Sequence, residues 1–524
     1  MAAHPKASLP NRTGNPSALK GACGALNSSK DTMVLVDRPL GGFRGERAGR
    51  EWCSLKYSCQ SSSTEASGQS PRTPASLTSR APRRCRVKLP LGLVGQGVRR
   101  LSLALAIAWM IGLLVATAPT LTPWPDAIFI TDFSQFWTSA WIIRDGATPM
   151  LFDMNVQAAF TKRLILEAAT TDTGRSLVFR DPYFYPPPLA LLFVSLTILP
   201  LPWAFATWSI VSLLLFATAV ALPLRSHPLR GTLAAAMLSY LGVIMTLREG
   251  QMNALLPLSL TLSMLALSRG QPFLGGVLIG LLWLKPQYAV LLPLVFLFKR
   301  RWRELGGMMV TGLALASLSF AMLGTSGMIA YFEVLRGVGR FHPSLYTWQE
   351  VMINWRALIM GLAPDLPETA GSALMLTAGA ATGLLTLLAW RGDWDPESPI
   401  FPIQLLVTVL ATIIATPHSH FYGTVLALAP VAAMMSRPVA PVLRPWIWYL
   451  LGLGYLLPLL RIFFQSVPPW WLAPYYFVAM LLLTLHVRKS NLTRLGASGA
   501  ATRTPATVAR LRSDHNMSGE PGTR

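Results

Sequence analysis

Asp132 is the first residue of this chain whose setting suggests catalysis. It follows a predicted first membrane span and is followed by the aromatic residues Phe133, Phe136 and Trp137. A carboxylate among aromatic rings at a membrane surface is partly desolvated, which raises its pKa and makes it a stronger general base. The same position also suits an N-terminal cap of a surface helix with those rings on its buried face. The two roles are compatible.

A dense polar group lies between two later apolar runs and contains Arg248, Glu249, Gln251 and Asn253. A charge at membrane depth costs about 2.5–3.5 kcal/mol on insertion scales, so such groups usually face a cavity or a partner. The alternative is a turn in which Arg248 and Glu249 reach into water. The pattern therefore makes this group a candidate site without excluding a simple turn.

Lys285 is the lone charge of the apolar stretch 273–298 and directly precedes Pro286. A charge in this setting needs a partner, and a phosphate-bearing ligand is one. Snorkelling of the lysine from the tip of a helical hairpin is the other explanation. The runs 273–285 and 286–298 are each too short to cross a bilayer, so they predict a hairpin or a broken helix lining a cavity.

His418 and His420 lie at a polar break between two late apolar runs. Side chains at i and i+2 do not share a helix face, so a helical metal pair is not expected, and no metal or other cofactor is predicted. The two histidines are candidates for binding a phosphate or an acceptor hydroxyl. Tyr185 enters a proline-rich helix start with Pro186 and Pro187, where interfacial anchoring is its simpler explanation.

The elements that must position these residues are membrane helices. Of the 524 residues, 52% are hydrophobic and 13% are charged, and apolar runs of membrane-spanning length recur between about residue 99 and residue 487. In lipid such runs must satisfy their own backbone hydrogen bonds, so they predict helices rather than period-2 barrel strands. We therefore expect an all-α polytopic membrane protein with about a dozen transmembrane helices, in contact with membrane lipids.

The net charge of +22 does not indicate nucleic-acid binding. The basic residues lie mostly in the two terminal tails and in short loops, as the positive-inside rule produces. We predict a disordered basic tail over 1–95, a membrane domain over 96–489 with a large first outer loop, and a second disordered basic tail over 490–524. All four cysteines lie in the first tail, so the membrane domain has no thiolate metal site.

Six short segments occur in an order that is similar to a known family of membrane enzymes. They are Asp132-Phe133, Trp141 to Pro149, Tyr185-Pro186-Pro187, Gly250-Gln251-Met252-Asn253, Leu284-Lys285-Pro286 and Thr416-Pro417-His418. On these segments the chain resembles the polytopic glycosyltransferases of the GT-C superfamily. More narrowly, it is similar to glycosyltransferase family 87, which includes the mannosyltransferases that extend phosphatidylinositol mannosides.

The resemblance implies a GT-C-like helical bundle and an inverting hexosyltransferase of the inner (plasma) membrane. It would move a sugar from a polyprenyl-phosphate-linked donor to a lipid or glycan acceptor on the outer, periplasmic face. Asp132 would be the general base. The implied candidates for binding the donor phosphate or substrate are Lys285, Arg248, Gln251, Asn253, His418, His420 and Tyr185. Relatives often continue the late motif with Tyr-Asp where this chain has Tyr422-Gly423, so its specificity is expected to differ.

Two other classes of function fit the same composition. A transporter or flippase for lipid-linked sugars would place a polar pathway at the membrane midplane and would tolerate the loss of Asp132 better than the loss of cavity-lining residues. A non-catalytic assembly partner for an envelope polysaccharide machine would tolerate replacement of all the polar residues named above. Neither the sugar nor the acceptor follows from the sequence.

Overall fold

The computed structural model describes residues 128–168 except 130, 182–339, 352–436, 445–457 and 469–501, together with part of 100–111. Within these ranges all regular secondary structure is helical, apart from one isolated bridge between Met352 and His420. The predicted tail 1–95 with its four cysteines, most of the first predicted span and residues 502–524 lie outside the described residues.

The described α-helices are labelled here in chain order. They are α1 (Phe133–Arg144), α2 (Met154–Ala168), α3 (Pro187–Val194), α4 (Leu201–Leu224), α5 (Arg230–Leu238), α6 (Leu241–Glu249), α7 (Leu255–Ser268), α8 (Pro272–Ile279), α9 (Leu291–Phe298), α10 (Trp302–Gly339), α11 (Trp355–Leu362), α12 (Glu368–Ala389), α13 (Phe401–Ala415), α14 (Leu428–Ser436), α15 (Pro445–Leu456) and α16 (Leu472–Ala501). Short 3-10 helices join several of them, among them Met252–Ala254, Gly280–Leu284, Pro286–Tyr288 and Phe421–Ala427.

Four of these segments are long and apolar enough to cross a membrane. They are Leu201–Leu224, Trp302–Gly337, Glu368–Ala389 and Pro469–Asn491, and the pair α5 and α6, bent by 55°, would supply a fifth. The predicted class, an all-helical protein of the membrane, is confirmed. The count of about a dozen spans stays a prediction, because four to five candidates lie in the described part of the chain.

The apolar stretch around Lys285 is broken, as the sequence predicts. α8 continues into the 3-10 helix Gly280–Leu284, and a second 3-10 helix, Pro286–Tyr288, leads towards α9. Lys285 between them has φ −130° and ψ 83°, because a residue before proline is pushed out of the helical region. The break places a lysine side chain in the protein interior, where it is 1% exposed.

Aromatic packing fixes α1 against α3. Phe136 stacks on Phe193 with ring centroids 4.8 Å apart, and Phe133 meets the same ring edge-on at 6.1 Å. Phe133, Phe136 and Trp137 are all buried, so the predicted aromatic face of this helix is confirmed. The packing holds the first turn of α1, and with it Asp132, inside the helical bundle.

Candidate functional site

The turn after α6 brings a second chain segment to the start of α1. α6 ends at Glu249, and Gly250 follows in the left-handed region with φ 62°. A Cβ atom built on Gly250 would lie 2.5 Å from the Cβ of Phe133, and Trp208 Nε1 donates a hydrogen bond of 2.9 Å to the Gly250 carbonyl. This close approach delivers the next residue, Gln251, to the Asp132 carboxylate.

Asp132 occupies the N-cap position of α1 and makes no side-chain capping hydrogen bond. Its Oδ1 accepts a hydrogen bond of 3.1 Å from Gln135 Nε2, and its Oδ2 accepts one from Gln251 Nε2. Burial raises the pKa of this carboxyl above its ordinary value, an effect opposed by the hydrogen bond from Gln251 and by the charge of Lys285. A carboxylate in this state is suited to accept a proton.

Gln251 joins Asp132 to Lys285. Its side chain is fully buried, and its Oε1 accepts a hydrogen bond of 2.8 Å from Lys285 Nζ. Its Nε2 also donates to the Tyr185 hydroxyl at 3.0 Å. Three residues that lie in separate segments of the sequence, namely Asp132, Gln251 and Lys285, therefore form one connected chain of hydrogen bonds.

Three tyrosine rings surround the Lys285 ammonium. Its Nζ lies 5.0 Å from the ring centroid of Tyr185, 5.2 Å from that of Tyr422 and 6.0 Å from that of Tyr288. Aromatic faces attract a cation without neutralising its charge. Among the described residues Lys285 forms no ion pair, so an anionic ligand that binds beside it would favour its charged form.

Asn253 lies beside this cluster, whereas Arg248 points along its own helix. Asn253 is fully buried, and its Nδ2 donates to the Tyr422 carbonyl at 3.2 Å. The Arg248 side chain forms an ion pair of 3.7 Å with Glu249 and a contact of 3.9 Å with the sulfur of Met245. The four residues of the predicted polar group are thus divided, with Gln251 and Asn253 inside the protein.

The two histidines contact each other, and His418 is close enough to Lys285 for the lysine charge to act on it. His418 Nε2 and His420 Nε2 are 3.1 Å apart, and the ring of Phe184 meets His418 edge-on at 5.2 Å. The pKa of His418 lies well below its ordinary value, chiefly because of burial and then because of the positive charges of His420, Lys285 and Arg356. A neutral His418 can both donate and accept a hydrogen bond.

The sequence reasoning missed several residues of the site. Tyr288 and Tyr422 lie beside Lys285, and Gln135 contacts Asp132; the position of Gln135, one helical turn beyond Asp132, could have indicated it. Arg356 is a fully buried arginine, and its Nη1 lies 3.5 Å from the Pro417 carbonyl. Burial lowers its pKa to about 10.

Among the described residues no group of three or more His, Cys, Asp or Glu side chains is placed to hold a metal ion. One Asp-x-Asp run, Asp393-Trp394-Asp395, also escaped the sequence reasoning. Asp395 Oδ1 accepts a hydrogen bond from the backbone of Glu397 at 2.9 Å, and Trp394 stacks on Trp390 at 5.0 Å. These contacts make the run part of a turn.

Comparison with known proteins shows which family the sequence is similar to. Residues 183–417 match the family model described as Glycosyltransferase family 87, which confirms the resemblance seen in the sequence. The match includes Tyr185, Gln251 and Lys285, whereas Asp132 precedes it and His420 follows it.

Two curated proteins are similar to the chain, and both are named polyprenol-phosphate-mannose-dependent alpha-(1-2)-phosphatidylinositol pentamannoside mannosyltransferase. The protein from Mycolicibacterium smegmatis is 29% identical over 253 residues, which cover 46% of this chain and 59% of that relative. The protein from Mycobacterium tuberculosis is 26% identical over 310 residues, which cover 56% of this chain and 70% of that relative. The chain thus spans 59% of the length of the first of these relatives. No solved structure matches the chain significantly.

Proposed function

We propose that this chain, which resembles glycosyltransferase family 87, is a membrane glycosyltransferase that takes a hexose from a polyprenyl-phosphate donor. The names of its relatives support the class of donor. The observation that carries the proposal is the hydrogen-bond chain from the half-buried Asp132 through the buried Gln251 to the buried Lys285. Glycosyl transfer from a lipid phosphate needs a proton acceptor and a cation near one another, and this chain supplies both.

In the proposed reaction the acceptor hydroxyl oxygen attacks the anomeric carbon of the donor sugar while Asp132 takes the hydroxyl proton. The bond between the anomeric carbon and the phosphate oxygen breaks, and polyprenyl phosphate leaves with the bonding electrons. A single displacement of this kind inverts the anomeric configuration. The acceptor is a lipid or a glycan with a free hydroxyl group, and no metal or other cofactor takes part in these steps.

Negative charge develops on the leaving phosphate, so the opposite end of the site must stabilise it. Lys285 is the first candidate, because its ammonium is buried among uncharged groups. His418 is close enough for the Lys285 charge to act on it, and His420 contacts His418. Arg248 is a less direct candidate, because the contacts described above lie within its own helix.

The substrate-binding roles of the neutral residues follow from the same geometry. Tyr185 presents its hydroxyl to Gln251 at 3.0 Å, so it can exchange this bond for one to a sugar hydroxyl. Asn253 has a buried Oδ1 atom without a hydrogen-bond partner in the described structure. A buried amide oxygen in that state gains from an incoming donor group.

We propose in addition that the helices form a GT-C-like bundle of about twelve spans with a large first outer loop. In this arrangement the membrane domain covers 96–489 between two basic tails, 1–95 and 490–524. The excess of lysine and arginine in the tails and short loops supports a cytoplasmic position for both termini. The site would then face the periplasmic side of the inner membrane.

The test is sugar transfer by the purified protein in lipid. A panel of polyprenyl-phosphate sugars is offered with a membrane-lipid extract as acceptor, and wild type is compared with Asp132→Asn. We expect the variant to lose about 10²–10⁴-fold in rate, the usual contribution of a general base. Asp145→Asn is the matched control, because Asp145 forms a surface ion pair of 2.8 Å with Arg163.

Equal product from wild type and a folded Asp132→Asn variant would remove Asp132 from the mechanism. Loss of activity in Asp145→Asn to the same extent would show that the assay reports folding and not base catalysis. No product from wild type with any donor would contradict the glycosyltransferase proposal and favour a flippase for lipid-linked sugars.

A further inference from the structure

When Asp132 is ionised and Lys285 is protonated, one orientation of the Gln251 amide satisfies both neighbours. A lysine ammonium only donates hydrogen bonds, so the atom facing Lys285 must be the amide oxygen. The NH₂ group then faces Asp132, and a carboxylate accepts from it. Reversing the amide would break both bonds, so the assignment rests on the chemistry of the neighbours.

This arrangement keeps an acid and a base of opposite charge near one another without a direct ion pair. Among the described residues Asp132 and Lys285 form no salt bridge, although Lys285 lies close enough for its charge to act on Asp132. A direct ion pair would stabilise the carboxylate and weaken it as a base. A direct ion pair would also neutralise the positive charge of Lys285 that is proposed to bind the donor phosphate.

The other groups around the pair are tyrosines, two histidines and a more distant carboxylate. His418 is close enough for the Lys285 charge to act on it, and His420 contacts His418. Tyr422 and Tyr185 lie beside both Lys285 and Gln251, and Glu249 acts on Tyr422 through its charge. Neither tyrosine supplies a competing anion at neutral pH, because an ordinary tyrosine hydroxyl ionises near pH 10. Tyr422 also hydrogen-bonds to the Asp132 carboxyl, but its contact with Lys285 is through the ring. Among the described contacts, the amide of Gln251 is the group that hydrogen-bonds to both charges.

We infer that Gln251 is a positioning residue, a neutral amide that holds the Asp132 carboxylate and the Lys285 ammonium in one site while keeping them out of a direct ion pair. The inference rests on the proposed function for the roles of Asp132 and Lys285. The amide passes on hydrogen bonds without passing on charge. It thus leaves Asp132 basic enough to take a proton and Lys285 positive enough to meet a phosphate.

Gln251→Glu tests the inference, because it keeps the length of the side chain and replaces the donor group with a negative charge. Two carboxylates then share one site, which makes protonation of the pair easier. We expect the Asp132 carboxyl to become protonated at a pH about one unit or more higher than in wild type. Because the base must be deprotonated, transfer should be lost at correspondingly higher pH on acidification.

The readout that does not depend on activity is infrared spectroscopy of the full-length protein in lipid. In wild type, the carboxylic acid C=O band of Asp132 is the band that is absent in Asp132→Asn. In Gln251→Glu, it is the band that is absent in the double variant Asp132→Asn with Gln251→Glu. The intensity of this band is followed against pH, and the midpoint of the titration is compared. Gln404→Glu is the matched control. Gln404 is another buried glutamine, and it donates to the Ala389 carbonyl at 2.9 Å.

A raised Asp132 midpoint in Gln251→Glu and an unchanged one in Gln404→Glu would support the inference. An unchanged midpoint in Gln251→Glu would overturn it. If Gln251→Glu does not fold, Lys285→Met decides. A rise in the Asp132 midpoint of less than about one pH unit agrees with a spacer, whereas a larger rise indicates a direct ion pair and overturns the inference. Absence of transfer in wild type would contradict the proposed function and leave these titrations valid.

Discussion

Two segments of the chain, Arg144-Asp145-Gly146 and Arg248-Glu249-Gly250, have a similar local structure. Each ends an α-helix with an arginine in its last turn, and each has a glycine in the left-handed region, with φ 78° at Gly146 and 62° at Gly250. Glycine is favoured there because it has no Cβ to clash with the backbone. The first segment lies within the resemblance to family 87, and the glycine of the second, Gly250, begins another of its matching segments.

Their surroundings differ completely. A Cβ atom on Gly146 would meet no atom within 4 Å, and Arg144 Nη1 donates to the Thr197 carbonyl at 2.8 Å, which ties α1 to the 3-10 helix Ser195–Ile198 that follows α3. A Cβ atom on Gly250 would lie 2.5 Å from Phe133, and the next residue is Gln251. The first segment therefore fastens two helices, whereas the second assembles the candidate site.

The difference teaches that a helix-ending glycine marks a site only when a second element approaches it. The left-handed conformation is encoded locally, in three or four residues. The approach of Phe133 to Gly250 joins residues that are far apart in the sequence and depends on how α1 packs against α3 and α4. Alanine substitutions can separate the two reasons for a glycine, which are a left-handed backbone and the close approach of another residue.

Gly250→Ala should have the largest effect of the glycine substitutions. The left-handed conformation costs about 1–2 kcal/mol for a residue with a Cβ, and overpacking against Phe133 adds about 1–3 kcal/mol. Relief of the clash would move Gln251 away from Asp132. We expect a lower melting temperature in lipid and a loss of transfer of at least about tenfold, since small misplacements are costly in catalysis. Full activity in this variant would show that the close contact does not position Gln251.

The sequence predicted the class of fold, the aromatic face of α1 and the break at Lys285, because each depends on local patterns. Hydropathy, aromatic spacing and a proline after a lysine are visible in a single sequence. It also identified Asp132, Gln251 and Lys285 as separate candidates. It did not predict that they touch, nor the tyrosines at positions 288 and 422, because these contacts depend on how distant helices pack.

Gly423→Ala should have an intermediate effect, because only the close approach of another residue, and not a left-handed backbone, requires glycine at this position. Its φ is not in the left-handed region, but a Cβ atom there would lie 2.1 Å from the Tyr288 hydroxyl oxygen. Tyr288 is buried and has little room to move. We expect a destabilisation of about 1–3 kcal/mol from overpacking, measured as a lower melting temperature, and a weaker loss of transfer than in Gly250→Ala.

The matched second variant for this position is Gly423→Ala with Tyr288→Phe. Removal of the hydroxyl leaves the ring carbon Cζ, 2.9 Å from the added Cβ, as the next contact. The double variant should therefore recover part of the lost stability and not all of it. No recovery at all would indicate that the clash with Tyr288 is not the cause, and Tyr288→Phe alone measures the cost of losing the hydroxyl.

Gly146→Ala should have the smallest effect, because only the left-handed conformation opposes it. The cost is about 1–2 kcal/mol, and no neighbouring atom is displaced. We expect a modest fall in melting temperature, with the rate of transfer per folded molecule and its dependence on pH the same as in wild type. If the rate instead fell as far as in Gly250→Ala, the segment after α1 would have to act on the site. The Asp145–Arg163 ion pair and the Arg144–Thr197 contact would then affect the position of Asp132 through α1. In that case the segment around Gly146 would not merely join two helices, and its contrast with the segment around Gly250 would be wrong.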